Sequence, residues 1–267
     1  FKSSETIPRG WGALSIPQVK WGMIAIFFYV GAEVTIGSKI VELLAFDSYG
    51  GFNNAAAKNY VGIYWGGAMI GRFIGFVAFE KIRSSKKVLL MFGIGTLATL
   101  GIIGLQFLFG YLIADRTTLT FQEIWPIFIF IPIHIIGAGI GRFMPGNVIS
   151  VFSIISIILL SIGVFTAGTT GVWCIIGIGF FNSIMWSNIF TISIKDLGKY
   201  TAQASSFLVM MILGGALIPL AFGGLTDAFK SETAEALRYV YLFPIISYVI
   251  LFVYGLQPYQ YKTSLKQ

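Results

Sequence analysis

Long, unbroken apolar runs dominate this sequence of 267 residues and constrain its fold more than any motif does. A helix rises 1.5 Å per residue, so about 20 apolar residues cross the roughly 30 Å hydrocarbon core of a membrane. Runs of that length recur along the chain, and only 11% of its residues are charged, against about 25% in soluble domains. A membrane β-barrel would instead alternate polar and apolar residues in segments of about ten. The sequence therefore predicts an all-α integral membrane protein.

We predict eight transmembrane helices, separated by segments that are charged or turn-like. These connecting segments are too short to fold alone, so residues 1–267 are expected to form a single transmembrane domain. The predicted spans are 18–46, 59–81, 87–114, 124–143, 147–167, 170–194, 201–226 and 237–257.

The positions of the basic residues predict the orientation of these helices. Of the 18 Lys and Arg residues, twelve fall on the side that holds both chain ends, five on the other, and Arg72 within a span. The positive-inside rule therefore places both ends in the cytoplasm. The same rule accounts for the net charge of +7, so the expected partner is membrane lipid and not nucleic acid.

Two ionisable residues, Glu33 and Arg72, lie well inside predicted spans. Burying either in lipid costs a few kcal/mol, so each is expected to face the bundle interior or a wet cavity. Helical rise places Arg72 about 10 Å nearer the cytoplasm than Glu33, so a direct pair requires tilt or a long reach. Each residue is interpreted either as a structural contact that locks helices together or as a coupling or gating group.

The sixth span mixes polar and aromatic residues. Asn182 and Trp186 are four residues apart, so a continuous helix would place them on one face. That combination suits a sugar, because amides bond hydroxyls and an aromatic plane stacks on the ring. Each member of the candidate set has an alternative role in interhelical hydrogen bonding or at the membrane interface. The candidate substrate-binding residues are Tyr29, Glu33, Trp65, Asn182, Trp186, Asn188 and Gln203.

Other chemistry has little support in the sequence. His134 is the only histidine and is interpreted as a structural residue beside Pro132 or as a proton relay. Cys174 is the only cysteine and is expected to be a core residue. We find no spacing typical of a metal site, no nucleotide-binding motif and no convergent nucleophile and base. We therefore predict no cofactor, no metal and no enzymatic activity.

Small residues recur where helices would have to approach each other closely. Gly62, Gly66, Gly67, Gly71 and Gly75 all lie in the second span. Small residues at such spacing allow close helix contact, and glycine with proline inside a span also allows bending. Packing and hinge motion are both open interpretations of this pattern.

Five segments together resemble the fucose/galactose/glucose:proton symporter family of the major facilitator superfamily, in its glucose/galactose branch. The resemblance is specifically to the C-terminal six-helix half of proteins in that family. The segments are YVGAEVTIGS at 29–38, YWGGAMIGRFIG at 64–75, FFNSIMWSNIF at 180–190, KDLGKYTAQASS at 195–206 and GGALIPL at 214–220. A further stretch, 75–90, resembles a degenerate form of the superfamily's cytoplasmic loop motif.

The resemblance implies a twelve-helix protein with two pseudo-symmetric halves and a hexose site at the midplane. It further implies proton-coupled uptake of glucose, galactose or fucose across the cell inner membrane by alternating access. The N-terminal half is then an expected partner, because in the family it supplies acidic residues implicated in coupling. The alternative hypothesis is a non-transporting membrane sugar sensor or assembly subunit with the same fold.

One departure from the family pattern concerns the number of helices. The family half has six helices and this chain has eight predicted spans, so we expect an inserted helical hairpin within 87–167. An insertion of two spans leaves the predicted orientation unchanged.

Overall fold

The computed structural model describes residues 12–78, 80, 82–112, 119–141, 144–229 and 237–257. Within these ranges every regular element is helical. The α-helices are α1 Pro17–Leu44, α2 Asn54–Ala78, α3 Ser84–Leu112, α4 Phe121–Ile124, α5 Ile127–Ile140, α6 Pro145–Thr166, α7 Gly168–Asn182, α8 Met185–Ile194, α9 Thr201–Met210, α10 Gly214–Ala228 and α11 Ile245–Leu256.

Eight helical segments in the described ranges are long and apolar enough to cross a membrane, which confirms the predicted all-α membrane fold. The largest boundary error is at α2, which begins at Asn54 and not at residue 59. The Asn53 side chain accepts a hydrogen bond from the Ala56 amide at 2.9 Å and so caps the helix. Because the cap and three following alanines start the helix, α2 extends past its apolar stretch.

The sixth span is broken, although the sequence suggests one continuous helix. It consists of α7 and α8, with Ser183 and Ile184 in a turn between them. The Ser183 hydroxyl donates to the Phe180 carbonyl at 2.6 Å, which occupies an acceptor of the preceding turn. The break therefore places freed backbone groups inside the membrane span, where other side chains must satisfy them.

Helices α2 and α7 pack closely through the glycines of α2. A Cβ atom at Gly67 would collide with Phe180, and one at Gly71 would collide with Ser183. At Gly75 it would meet Ile184 in the same way. These contacts confirm a packing role for the three positions, whereas a Cβ at Gly62 would meet nothing within 4 Å.

Helix α3 lies at the periphery of the bundle. It packs against α2 and α5, and many of its large apolar side chains are exposed, including Leu89 and Leu97. By contrast, α1 packs against α2, α7, α8, α10 and α11. Helix α3 therefore flanks a central bundle; that residues 87–167 contain an inserted hairpin stays a prediction.

Candidate functional site

A cavity of about 760 Å³ opens between α1, α2 and the break that separates α7 from α8. Its volume lies within the roughly 300–1,000 Å³ typical of small-molecule sites. Its lining is mainly apolar, with a few charged and hydroxyl groups. The lining residues are Tyr29, Val30, Glu33, Arg72, Gly75, Phe76, Glu80, Ser183, Ile184, Trp186, Ser187 and Ile212.

Glu33 and Arg72 form an ion pair in the wall of this cavity. The distance from Arg72 Nη2 to Glu33 Oε1 is 3.7 Å. That distance is too long for a hydrogen bond, and Oε1 has no hydrogen-bond partner among the described residues. The Glu33 side chain is only 9% exposed, whereas that of Arg72 is 56% exposed. The long arginine side chain thus bridges the axial offset that helical rise predicts.

Two side chains satisfy backbone carbonyls at the helix break. The Tyr29 hydroxyl donates to the Asn182 carbonyl at 3.0 Å. Arg72 Nε donates to the Ser183 carbonyl at 3.3 Å. Tyr29 and Arg72 both line the cavity, so these two hydrogen bonds join the cavity wall to the helix break.

Asn182 lies behind this wall, in a fully buried cluster of polar side chains. Its Nδ2 donates to the Tyr64 hydroxyl at 3.1 Å, and its Oδ1 accepts from the Tyr248 hydroxyl at 2.9 Å. The Tyr64 hydroxyl in turn donates to the Glu33 carbonyl at 3.0 Å. Asn182, Tyr64 and Tyr248 are each 0% exposed.

Comparisons with known proteins support the resemblance seen in the motifs. A glucose/galactose transporter of Brucella abortus is 32% identical over 235 residues, which cover 88% of this chain and 41% of that protein. A putative glucose/galactose transporter of Helicobacter pylori is 29% identical over 240 residues, covering 90% of this chain and 43% of the relative. The L-fucose-proton symporter of Escherichia coli is 33% identical over 117 residues, 43% of this chain and 25% of the symporter.

This chain is a homologue of bacterial sugar transporters. It spans less than half the length of each of these relatives. No family model matches the sequence.

The comparison with solved structures agrees with the sequence comparisons. A crystal structure of FucP, a major facilitator superfamily transporter in the outward conformation, superposes with a TM-score of 0.58 at 24% identity. The match covers 91% of this chain and 44% of FucP. The described helices therefore have the fold of part of a major facilitator superfamily transporter.

In this transporter homologue, some of the predicted site residues meet at the cavity. Tyr29, Glu33 and Trp186 line it together with Arg72. Asn182 does not, because the break after α7 turns it into the core while Trp186 of α8 faces the cavity. Asn182 and Trp186 would share a helix face, as the sequence predicts, only if α7 and α8 were one continuous helix.

The other three predicted residues lie outside the cavity lining. Trp65 is exposed on α2, one and two turns from Met69 and Arg72 on the same helix face, and packs edge-to-face on Tyr64. Gln203 Oε1 accepts from the Ala13 amide at 2.8 Å. Asn188 is buried, and its Nδ2 has no hydrogen-bond partner among the described residues.

Sequence reasoning missed Glu80, Ser183 and Ser187 as cavity residues. Glu80 lies at the end of the predicted span 59–81 and within the stretch that resembles the cytoplasmic loop motif, a position that does not indicate a cavity. Ser183 and Ser187 flank the break, and small hydroxyl residues in a polar stretch of an apolar span were the available signal.

His134 is fully buried and contacts the back of the helix break. Its Nε2 lies 3.4 Å from the Ser183 hydroxyl. Because that hydroxyl already donates to Phe180, Nε2 must carry the proton and donate. Phe152 packs edge-to-face on the imidazole at 4.7 Å, and Phe181 stacks on it at 6.1 Å.

Proposed function

We propose that this chain supplies the C-terminal half of a proton-coupled hexose transporter of the cell inner membrane. The observation that carries the proposal is the Glu33–Arg72 ion pair in the wall of a cavity that also presents Trp186. Its relatives are sugar transporters, and we infer that the chain itself is not an enzyme. Its two ends lie in the cytoplasm in this proposal, as the basic residues indicate.

The cavity offers the chemistry that a hexose needs. The Trp186 indole provides a flat apolar surface for the C–H face of the ring, and it is already stacked on Phe190 at 6.1 Å. Glu33, Arg72 and Ser187 provide an acceptor, a donor and a hydroxyl for the sugar hydroxyls. We propose glucose, galactose or fucose as the substrate class, by analogy with the named relatives.

Glu33 is the group that we propose for coupling to a proton. When it is ionised, it attracts Arg72, which also holds the Ser183 carbonyl at the break. A proton on the carboxylate removes that attraction, so that of these two contacts Arg72 keeps only its hydrogen bond to the Ser183 carbonyl. Alternating access would then connect the protonation of one residue to a rearrangement of α2 against α8.

The exposed side chains at the open side of the cavity support a protein partner there. More than half of the Arg72 side chain is exposed within a membrane span, where contact with lipid would cost a few kcal/mol. Trp65, Met69, Phe73 and Phe76 are exposed on the same side of α2. We propose that a second helical bundle, the N-terminal half of the transporter, covers this face.

The test is uptake by the full-length protein, with both halves, in proteoliposomes. We expect an inward proton gradient to drive accumulation of labelled glucose, galactose or fucose, and Glu33→Gln to abolish accumulation. Glu42→Gln is the matched control, because Glu42 pairs with Lys39 on α1 away from the cavity.

Accumulation of none of these hexoses, or accumulation that persists without the gradient, would contradict the proposal. Binding of a hexose without accumulation would instead favour the sugar sensor.

A further inference from the structure

The polar cluster behind the cavity has a single consistent hydrogen-bond direction. The one proton of the Tyr64 hydroxyl goes to the Glu33 carbonyl, which has no proton to give. Tyr64 must therefore accept from Asn182, and this fixes the amide with Nδ2 toward Tyr64. Oδ1 then faces Tyr248, whose hydroxyl donates to it at 2.9 Å.

This chain of bonds joins four helices. It begins at Tyr248 of α11, passes through Asn182 at the end of α7 and Tyr64 of α2, and ends at the backbone of Glu33 in α1. The backbone carbonyl of Asn182 also accepts a hydrogen bond, from the hydroxyl of Tyr29, and Tyr29 lines the cavity. The cluster therefore contacts two of the cavity residues of α1, the side chain of Tyr29 and the main chain of Glu33.

Close helix packing makes the cluster possible. A Cβ at Gly179 would collide with the Tyr64 carbonyl, and one at Gly37 would lie within 3 Å of the Tyr64 ring. Only glycines at these positions allow α1, α2 and α7 to approach so closely. The amide of Asn182 is consequently enclosed, and it does not line the cavity.

We infer that Asn182, Tyr64 and Tyr248 are positioning residues for the sugar site and do not touch the sugar. They hold Tyr29 and the backbone of Glu33 in place at the helix break. The inference rests on the proposed function in naming a sugar site, but the cluster itself can be tested without sugar.

The first test is hexose binding to the full-length protein carrying Tyr248→Phe. This change keeps the ring and removes only the hydroxyl, which leaves a buried Asn182 oxygen without its donor. We expect affinity for glucose, galactose or fucose to fall about fivefold or more.

Tyr254→Phe is the matched control, since Tyr254 is a buried tyrosine of the same helix whose hydroxyl contacts Ser193 at 3.0 Å. It should leave affinity unchanged. If Asn182 instead bound sugar directly, Asn182→Ala would weaken binding while Tyr248→Phe would not, and that result would overturn the inference.

The second test needs no sugar and separates the inference from the proposed function. Cys174→Ala removes the one cysteine of this sequence, and any cysteine elsewhere in the full-length protein is replaced by alanine as well; Ser187→Cys then places a thiol in the cavity beside the break. We expect Tyr248→Phe to raise the rate of N-ethylmaleimide labelling severalfold, and Tyr254→Phe to leave it unchanged. Equal rates in the two variants would overturn the inference, even if the wild-type protein bound no hexose.

Discussion

Arg72 Nη2 lies 3.7 Å from Glu33 Oε1, and the two side chains differ sharply in exposure, 56% against 9%. The carboxylate is enclosed by the bundle, while the guanidinium lies at the open face of the cavity. A second bond, from Arg72 Nε to the Ser183 carbonyl, anchors the arginine to the helix break. The pair is thus asymmetric: the carboxylate is enclosed, while the guanidinium is exposed and is held at the helix break.

The Glu33–Arg72 pair predicts that a second substitution restores part of the stability lost with the first. Arg72→Ala leaves the Glu33 carboxylate buried without its counter-charge and should lower the melting temperature of the detergent-solubilised full-length protein. The loss in free energy of unfolding should stay below the roughly 3–5 kcal/mol that breaking a fully buried pair costs, because Arg72 is largely exposed. The double variant Arg72→Ala with Glu33→Gln should recover part of the loss. A double variant less stable than Arg72→Ala alone would contradict this account.

The close helix packing at Gly71 gives a second prediction, also on stability. Gly71→Ala would force its Cβ against Ser183 and the Phe180 carbonyl, and should destabilise the protein by about 1–3 kcal/mol. Gly62→Ala is the control in the same helix, where open space and higher helix propensity predict a small gain. Thermal unfolding of both variants in detergent measures the difference, and equal melting temperatures would refute the close contact.

His134 provides a third prediction and decides between its two interpretations. The imidazole is enclosed by Phe152 and Phe181 and lies outside the cavity lining, which favours a structural role. His134→Phe should therefore lower stability moderately and leave the shape of the pH profile of hexose uptake unchanged. A shifted or flattened profile would favour the proton relay.

Trp186 provides a fourth prediction, which concerns hexose affinity. Trp186→Ala removes the stacking plane and should weaken hexose affinity about tenfold, whereas Trp186→Phe keeps an aromatic face and should weaken it less. Trp21→Ala is the control, because Trp21 is exposed on α1 and lies outside the cavity lining. Isothermal titration of the full-length protein measures all three. Equal affinities in Trp186→Ala and the control would exclude stacking on this indole.

Apolar patterning was sufficient to predict the eight spans, because lipid imposes a minimum helix length. It placed the start of α2 five residues too late, since the cap at Asn53 lies in a polar stretch. The charged residues Glu33 and Arg72 were found because an ionisable group inside a span demands a partner.

The helix break could not be predicted, and most of the remaining differences follow from it. Neither Ser183 nor Ile184 is a glycine or proline, so local sequence did not mark an interruption. A continuous helix would have placed Asn182 beside Trp186, whereas the break separates them. Tyr64 and Tyr248 were missed because a tyrosine within an apolar run gives no sign of its hydroxyl partner.

The most direct test of the account is proton movement driven by sugar. Full-length protein in lightly buffered proteoliposomes receives a pulse of the transported hexose, and a pH electrode follows the external medium. We predict alkalinisation of the medium as sugar and protons enter together, and none with Glu33→Gln, while Glu42→Gln behaves as wild type. Sugar entry without alkalinisation, or a Glu33→Gln trace identical to wild type, would contradict the claim that Glu33 couples hexose transport to protons.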